Sequence, residues 1–251
     1  MYRNCLRDVL GYKEGERAFF LSETGLETTL LFKEGIDIPC FASFPLLKSN
    51  PEVLKKFLEE HVLCAVKYNA NFILDSAGWR ANADWGQKLG LSTHELDDFN
   101  RLSIKLLSDI RDKYQRSGMT MVISGVVGPR SDGYSPQLLM TAEQARNYHR
   151  HQISVYKDTT ADLVTAYTMC YVQEPLGIVQ AAKEMGMPVV ISFTLEFDGT
   201  LPSGMSLQDA IETIDRATDS YPLYYMINCA HPTHFMHVLQ EAHAQGGEEG
   251  E

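Results

Sequence analysis

The sequence lacks the segments that direct a chain into a membrane or into the secretory pathway. No apolar run approaches the ~20 residues that a membrane-spanning helix needs. The N-terminal stretch MYRNCLRDVLGYKEGER contains no continuous apolar core of the kind that a signal peptide carries. We therefore expect a soluble protein of the cytoplasm.

Cysteine is scarce and irregularly placed. The five cysteines are Cys5, Cys40, Cys64, Cys170 and Cys229. Their number is odd, and the chain is long for a small scaffold held together by disulfides. Reduced thiols in the cytosol are therefore expected.

Basic residues are also fewer than acidic ones. The chain has 22 Lys and Arg residues against 33 Asp and Glu residues, so its formal net charge is −11. A nucleic acid or an anionic membrane surface is not an expected partner, because both are bound through basic residues. Nucleotide-binding motifs are missing as well: no G-x-G-x-x-G follows the first apolar run, and no G-x-x-x-x-G-K-[ST] occurs anywhere.

What the chain does have is a series of short apolar runs. Its 251 residues, 44% of them hydrophobic, can form a domain with a substantial core. The runs lie at residues 18–25, 71–79, 119–129, 161–175, 187–199 and 221–232. Runs of this length that are bounded by Gly or Pro indicate the buried strands of a parallel sheet.

Helix signals separate these runs. Pro51, after Ser49-Asn50, is placed as a first helical residue. Three more helix starts are marked by a capping residue with a polar residue three positions later: Ser92 with Glu95, Thr141 with Gln144, and Ser206 with Asp209. Pro175 is expected to start a further helix that Gly186 ends. Six strand–helix units in a row predict an α/β fold, either an open doubly wound sheet or a (β/α)8 barrel.

Polar residues follow most of the apolar runs. They are Glu23, Asp75, Glu174, Glu196 and the pair Asn228-Cys229. Any one of them, taken singly, is more typical of an ordinary loop residue or helix cap. In a barrel they would converge on the C-terminal face, where such enzymes keep their active sites. Taken together, these residues favour a barrel with a site at that face.

Six segments in order resemble motifs of the homocysteine S-methyltransferase family. They are SETGLETTL (22–30), DSAGWRANADWGQKLG (75–90), GVVGPRSDGY (125–134), Glu174 before a helix, VVISFTLEFDGTLPSGMSLQDAI (189–211) and INCAHPTHF (227–235). The resemblance runs from about residue 19 to about residue 236. It implies a (β/α)8 fold of the TIM-barrel type, of which this chain has only about six βα units.

The same resemblance implies a zinc ion at the mouth of the barrel, held by three cysteine thiolates. Cys229 matches the first of these ligands. The other two are adjacent in a Gly-Gly-Cys-Cys motif of the family, which does not occur in this sequence. The zinc site expected here is therefore incomplete.

The activity that the resemblance implies is methyl transfer from an onium-type or folate donor to the zinc-activated thiol of homocysteine, giving methionine. Only the thiolate is nucleophilic, and coordination to zinc deprotonates a thiol. By the same resemblance Glu23 and Glu174 are candidates to bind the amino group of homocysteine. Asn228 is expected either to bind the substrate or to orient its loop.

Three histidines follow Cys229 closely: His231, His234 and His237. Two histidines on one helical face can chelate a metal. We favour the simpler alternative, in which they line the surface of a helix.

The domain organisation expected from the sequence is an N-terminal extension (1–18), an incomplete homocysteine-binding barrel (19–240) and an acidic flexible tail (241–251). An incomplete barrel exposes sheet edges and its interior. Three explanations remain open: a fragment of a longer protein, a barrel completed by another chain, as in a homo-oligomer, or a non-catalytic remnant. Such a remnant would bind a small amino acid or a partner subunit.

Overall fold

The computed structural model describes residues 2–11, 19–135 and 137–247, with side chains through residue 240. The strands are β1 Phe20–Ser22, β2 Asn71–Asp75, β3 Met121–Val127, β4 Leu163–Met169, β5 Val189–Phe193 and β6 Tyr225–Ile227. The helices are α1 Leu6–Val9, α2 Leu26–Thr28, α3 Leu46–Ser49, α4 Pro51–Tyr68, α5 Ala83–Lys88, α6 Thr93–Tyr114, α7 Ala142–Lys157, α8 Gln173–Met185, α9 Leu207–Thr218 and α10 Pro232–Gly247. Within these described ranges, no helix is both long and apolar enough to cross a membrane.

The six described strands form one parallel sheet in the order β1-β2-β3-β4-β5-β6. Each strand lies inside one of the predicted apolar runs, so the prediction of six strand–helix units is confirmed. An open doubly wound sheet would reverse its strand order at a switch point, and this sheet does not. Sequential parallel strands with intervening helices are the arrangement found in part of a TIM barrel.

The predicted helix caps are mostly confirmed. Both the Ser92–Glu95 and the Thr141–Gln144 pairs make the reciprocal hydrogen bonds of a capping box. Gly186 ends α8 in the left-handed conformation, as predicted. The prediction that Pro175 starts α8 is wrong, because the helix begins at Gln173. A proline is tolerated in this first turn, since the first backbone N–H groups of a helix have no partner within it.

Burial is deepest in the middle of the sheet. Every residue of β3 is buried, as is every residue of β5. The outer strands β1 and β6 are only partly buried along their length. The core therefore lies around the central strands, and β1 and β6 are the two edge strands of the sheet.

The N-terminal segment covers the N-terminal ends of the strands. Leu6 of α1 is 2% exposed and packs in one cluster with Val122, Leu163 and Val190. The backbone N–H of Tyr2 donates to Asp162 Oδ1 at 2.7 Å. The described part of the predicted extension, residues 2–11, is thus packed onto the sheet, whereas residues 1 and 12–18 lie outside the described residues.

At the other end of the chain, α10 continues to Gly247, beyond the boundary predicted at residue 240. The predicted flexible tail therefore overlaps a helix over residues 241–247. The last four residues, 248–251, lie outside the described residues.

We predict that Asp162→Ala lowers the free energy of unfolding by about 3–5 kcal/mol. Asp162 Oδ2 accepts from Arg111 Nη1 at 2.7 Å and from the N–H of Ile123 at 3.0 Å, and the Asp162 side chain is fully buried. Removing the carboxylate leaves a buried guanidinium without its partner. Urea denaturation measures the loss.

The matched control is Asp109→Ala, which breaks the exposed pair of Lys105 and Asp109 on α6. Exposed pairs contribute at most about 1 kcal/mol. Similar small losses in the two variants would contradict the assigned role of Asp162.

Candidate functional site

A cavity of about 390 Å³ opens at the carboxyl ends of the strands. Each of the six strands, or the loop that follows it, contributes to its lining: Glu23 after β1, Ser76 after β2, Tyr134 after β3, Thr168 of β4, Ser192 of β5 and Cys229 after β6. We call this the mouth cavity. Of the four residues to which the family resemblance assigns a substrate or metal role, Glu23, Asn228 and Cys229 line it, and Glu174 is not among its lining residues.

Glu23 is a carboxylate enclosed without a cation. Gly25, with φ of 65°, turns the chain from β1 into α2 and leaves Glu23 on the cavity wall. Its Oε2 atom is inaccessible to solvent and has no hydrogen-bond partner among the described residues. Burial raises the pKa of Glu23 well above its usual value, and the charges of Asp75 and Glu27 raise it further. A cation bound against the cavity side of the Glu23 carboxylate would offset both effects.

Asp75 lies close behind Glu23 and shares its electrostatic environment. Burial raises the pKa of Asp75 to about 6. Its Oδ2 accepts from the Tyr167 hydroxyl at 2.9 Å, whereas Oδ1 is enclosed without a partner among the described residues. Tyr167 itself lines the mouth cavity. Tyr167 was not among the predicted site residues, because it lies inside an apolar run and only its position near the end of β4 distinguishes it.

Asn228 connects the ends of three strands. Its Oδ1 accepts from the N–H of Thr168 at 3.1 Å and from the Ser192 hydroxyl at 2.8 Å. Its Nδ2 donates to Thr168 Oγ1 at 3.0 Å and to Cys229 Sγ at 3.1 Å. Both polar atoms of the amide are thus engaged by protein groups, which favours the loop-orienting one of its two predicted roles.

Tyr134, from the loop after β3, lines the same cavity as Cys229. Burial, together with its interaction with Cys229, raises the pKa of Tyr134 above its usual value. Tyr134 is the last residue of the motif GVVGPRSDGY, and nothing in the motif distinguishes it as a site residue. The Asn228 amide and the Tyr134 side chain thus both belong to the surroundings of the Cys229 thiol.

Cys229 is the only cysteine among the described residues that line the mouth cavity. No group of three or more His, Cys, Asp or Glu side chains within the described ranges could hold a metal ion. A catalytic zinc needs three protein ligands and an open position. The described donor set, with one thiol, does not fit a zinc ion.

The three histidines after Cys229 are engaged elsewhere. His231 Nδ1 contacts Thr233 Oγ1 at 2.9 Å, and His237 Nε2 contacts the carbonyl of Asp198 at 3.2 Å. The ring of His234 packs on Phe197, with centroids 4.3 Å apart. These contacts place the histidines on and around α10, in agreement with the helix-surface alternative.

Glu174 lies in the first turn of α8 and is 2% exposed. Its Oε1 accepts from the backbone N–H of Arg130 at 2.7 Å and faces His149 Nε2 at 2.9 Å. Arg130 belongs to the loop that carries Tyr134. The Glu174 carboxylate thus holds the loop after β3 in place through the backbone N–H of Arg130.

The sequence of the chain matches a known protein family. The model of the homocysteine S-methyltransferase family matches residues 21–248. Homocysteine S-methyltransferase 1 of Brassica oleracea var. italica is 25% identical over 222 residues, and the match covers 81% of this chain. The chain spans 65% of the length of that relative.

Solved structures agree on the fold. The metallated form of the homocysteine methyltransferase MmuM from Escherichia coli superposes with a TM-score of 0.76 at 21% identity, over 95% of this chain and 83% of that chain. Its oxidised form gives 0.76 at 20% identity, over 94% and 82%. At this identity the likeness shows the fold alone. Because the family model matches most of its length, the chain belongs to the homocysteine S-methyltransferase family.

Proposed function

We propose that the mouth cavity binds homocysteine and that the chain is a methyltransferase of the homocysteine S-methyltransferase type. The reaction moves a methyl group from an onium-type or folate donor to the homocysteine thiol and gives methionine. One observation carries the proposal: the Glu23 carboxylate, with an oxygen that has no hydrogen-bond partner among the described residues, lines the same cavity as the Cys229 thiol. An amino acid with an ammonium at one end and a thiol at the other matches these two groups.

In this arrangement Glu23 accepts hydrogen bonds from the homocysteine ammonium. The charge of Asp75 adds to the attraction, because it already acts on Glu23. The cation in turn favours the ionised carboxylates, which burial disfavours in the empty cavity. The side chain of the ligand then directs its sulfur toward the β6 loop and Cys229.

The methyl transfer is a displacement at carbon. The homocysteine thiolate attacks the methyl carbon, a sulfur–carbon bond forms, and the bond from that carbon to the donor heteroatom breaks. The electron pair leaves with the donor, and the thiol proton goes to solvent. The described residues bind and orient the reactants, and Cys229 is the one thiol that they contribute to the cavity.

Glu174 and Asn228 support this site without a direct ligand contact. Glu174 holds the Arg130 N–H of the loop that carries Tyr134, and Asn228 holds the β6 loop that carries Cys229. We assign both as positioning residues. A cytoplasmic location of the protein and a homo-oligomeric state are predictions from the sequence alone.

A second candidate is a non-catalytic protein that binds homocysteine or a similar small amino acid. The contact of Cys229 with Asn228 favours it, since this amide already donates to the only thiol that the described residues contribute to the cavity. Formation of methionine from homocysteine and a methyl donor separates the two candidates. Binding of homocysteine without any methionine formation would favour the binding protein.

We predict that Glu23→Gln weakens homocysteine binding about 10- to 100-fold, the usual cost of removing a charged hydrogen-bond partner. Isothermal titration calorimetry measures the affinity. The variant should fold, because burial disfavours the charge that it removes.

The matched control is Glu34→Gln, which changes an exposed carboxylate after α2. It should leave the affinity unchanged. Equal affinities of the Glu23 variant and the unmodified chain would remove the basis of the proposal.

The affinity for homocysteine should also rise as the pH increases from about 5 to about 7. Asp75 has its pKa raised to about 6, so it is mostly neutral below that pH and charged above it. The ligand ammonium stays protonated over this range. Stronger binding above pH 6 follows, because only the ionised carboxylate attracts the cation.

Asp75→Asn should reduce this pH dependence and leave the part that Glu23 contributes, whereas Asp37→Asn, at an exposed position, should leave it intact. Titrations at several pH values measure it. An affinity that falls across this range in the unmodified chain would contradict the electrostatic assignment.

A further inference from the structure

Tyr167 of β4 lies between two cavities. It lines the mouth cavity together with Glu23, and it also lines a second cavity of about 340 Å³. Leu10 and Phe20 line this second cavity, and Phe20 is the first residue of β1, so the cavity extends toward the N-terminal ends of the strands. The ring of Tyr167 thus forms part of the floor of the mouth cavity.

The hydroxyl of Tyr167 is held in a defined orientation. It donates to Asp75 Oδ2 at 2.9 Å, and this bond joins β4 to β2, two strands that are not neighbours in the sheet. Asp75 is 4% exposed, so water does not readily replace the hydroxyl as its partner. Burial and the charges of Asp75 and Glu23 raise the pKa of Tyr167 well above its usual value, and the hydroxyl therefore keeps its proton.

The Tyr167 oxygen remains able to accept a hydrogen bond while its hydrogen points to Asp75, because a phenol is both a donor and an acceptor. Hydrogen bonds in a chain polarise one another, so the bond to Asp75 makes this oxygen a better acceptor. Asp75 itself is not among the residues that line the mouth cavity, whereas Tyr167 is. Tyr167 thus transmits part of the charge of Asp75 to the cavity.

An ammonium group has three N–H donors, and Glu23 alone does not supply three acceptors. One oxygen of Glu23, Oε2, is inaccessible to solvent, and the backbone N–H of Leu26 also bonds this carboxylate. None of the described residues that line the mouth cavity is Lys, Arg or His, so no cation of the lining competes for these acceptors. A ligand ammonium beside Glu23 therefore needs a second acceptor from the cavity wall.

We infer that Tyr167 is a specificity-determining residue of the mouth cavity, whose oxygen accepts a hydrogen bond from the primary ammonium of the ligand beside Glu23. The inference rests on the proposed function and narrows its substrate class to thiols that carry a free primary ammonium. A thiol without an amino group leaves both acceptors unpaired. Sites built to bind an N–H group discriminate strongly against ligands that lack it.

The variant Tyr167→Phe removes the hydroxyl and keeps the ring that forms the floor. It should lower the affinity for homocysteine about 10-fold, as measured by isothermal titration calorimetry. The affinity for 4-mercaptobutanoate, which is homocysteine without its amino group, should not fall, because this ligand makes no bond to Tyr167. Ligand-observed NMR measures this weaker binding.

The matched control is Tyr221→Phe, which removes a hydroxyl that donates to the carbonyl of Met187 at 3.1 Å. Tyr221 is not among the residues that line the mouth cavity. The control variant should therefore bind homocysteine as tightly as the unmodified chain does.

Three outcomes overturn the inference and leave the proposed function standing. They are an unchanged homocysteine affinity of the Tyr167 variant, an equal loss in the Tyr221 variant, and an equal loss of affinity for 4-mercaptobutanoate in the Tyr167 variant. An unmodified chain that binds no homocysteine would instead overturn the proposed function, and this inference with it.

Discussion

The amide of Asn228 is the contact on which the geometry of the mouth depends most. It joins the ends of β4, β5 and β6 through Thr168, Ser192 and Cys229. Thr168 and Cys229 both have positive φ angles, of 64° and 54°, which few residues other than glycine adopt. Such conformations persist only where surrounding contacts fix them, and they concentrate at functional sites. The Asn228 amide supplies such contacts to both Thr168 and Cys229.

The mouth also holds three buried carboxyl groups close to one another. Parallel pairing brings the carboxyl ends of all six strands to one edge, and with them Glu23, Glu27 and Asp75. Burial raises the pKa of all three carboxyl groups, and Glu23 also experiences the charges of the other two. Holding these groups together is unfavourable in the empty cavity. Under the proposed function, a ligand ammonium would relieve this repulsion, and part of the binding energy would come from that relief.

Local sequence signals predicted the fold well, and long-range contacts set the limits of that prediction. The six strands follow from apolar runs, and the caps of α6 and α7 follow from residues three positions apart. Glu23, Asn228 and Cys229 could be placed at the mouth because each follows a strand. The part played by Glu174 could not, because its partner Arg130 lies 44 residues away and is reached only through the packed fold. Tyr134 was missed for the same reason, since it reaches the mouth cavity beside Cys229 only in the packed fold.

A crystal structure of the chain with bound homocysteine would test the central claim most directly. The account predicts the ammonium within hydrogen-bond distance of Glu23 and the sulfur beside Cys229, with the ligand across the mouth cavity. An amino acid bound in the opposite orientation, or at a place that leaves Glu23 without a partner, would contradict it.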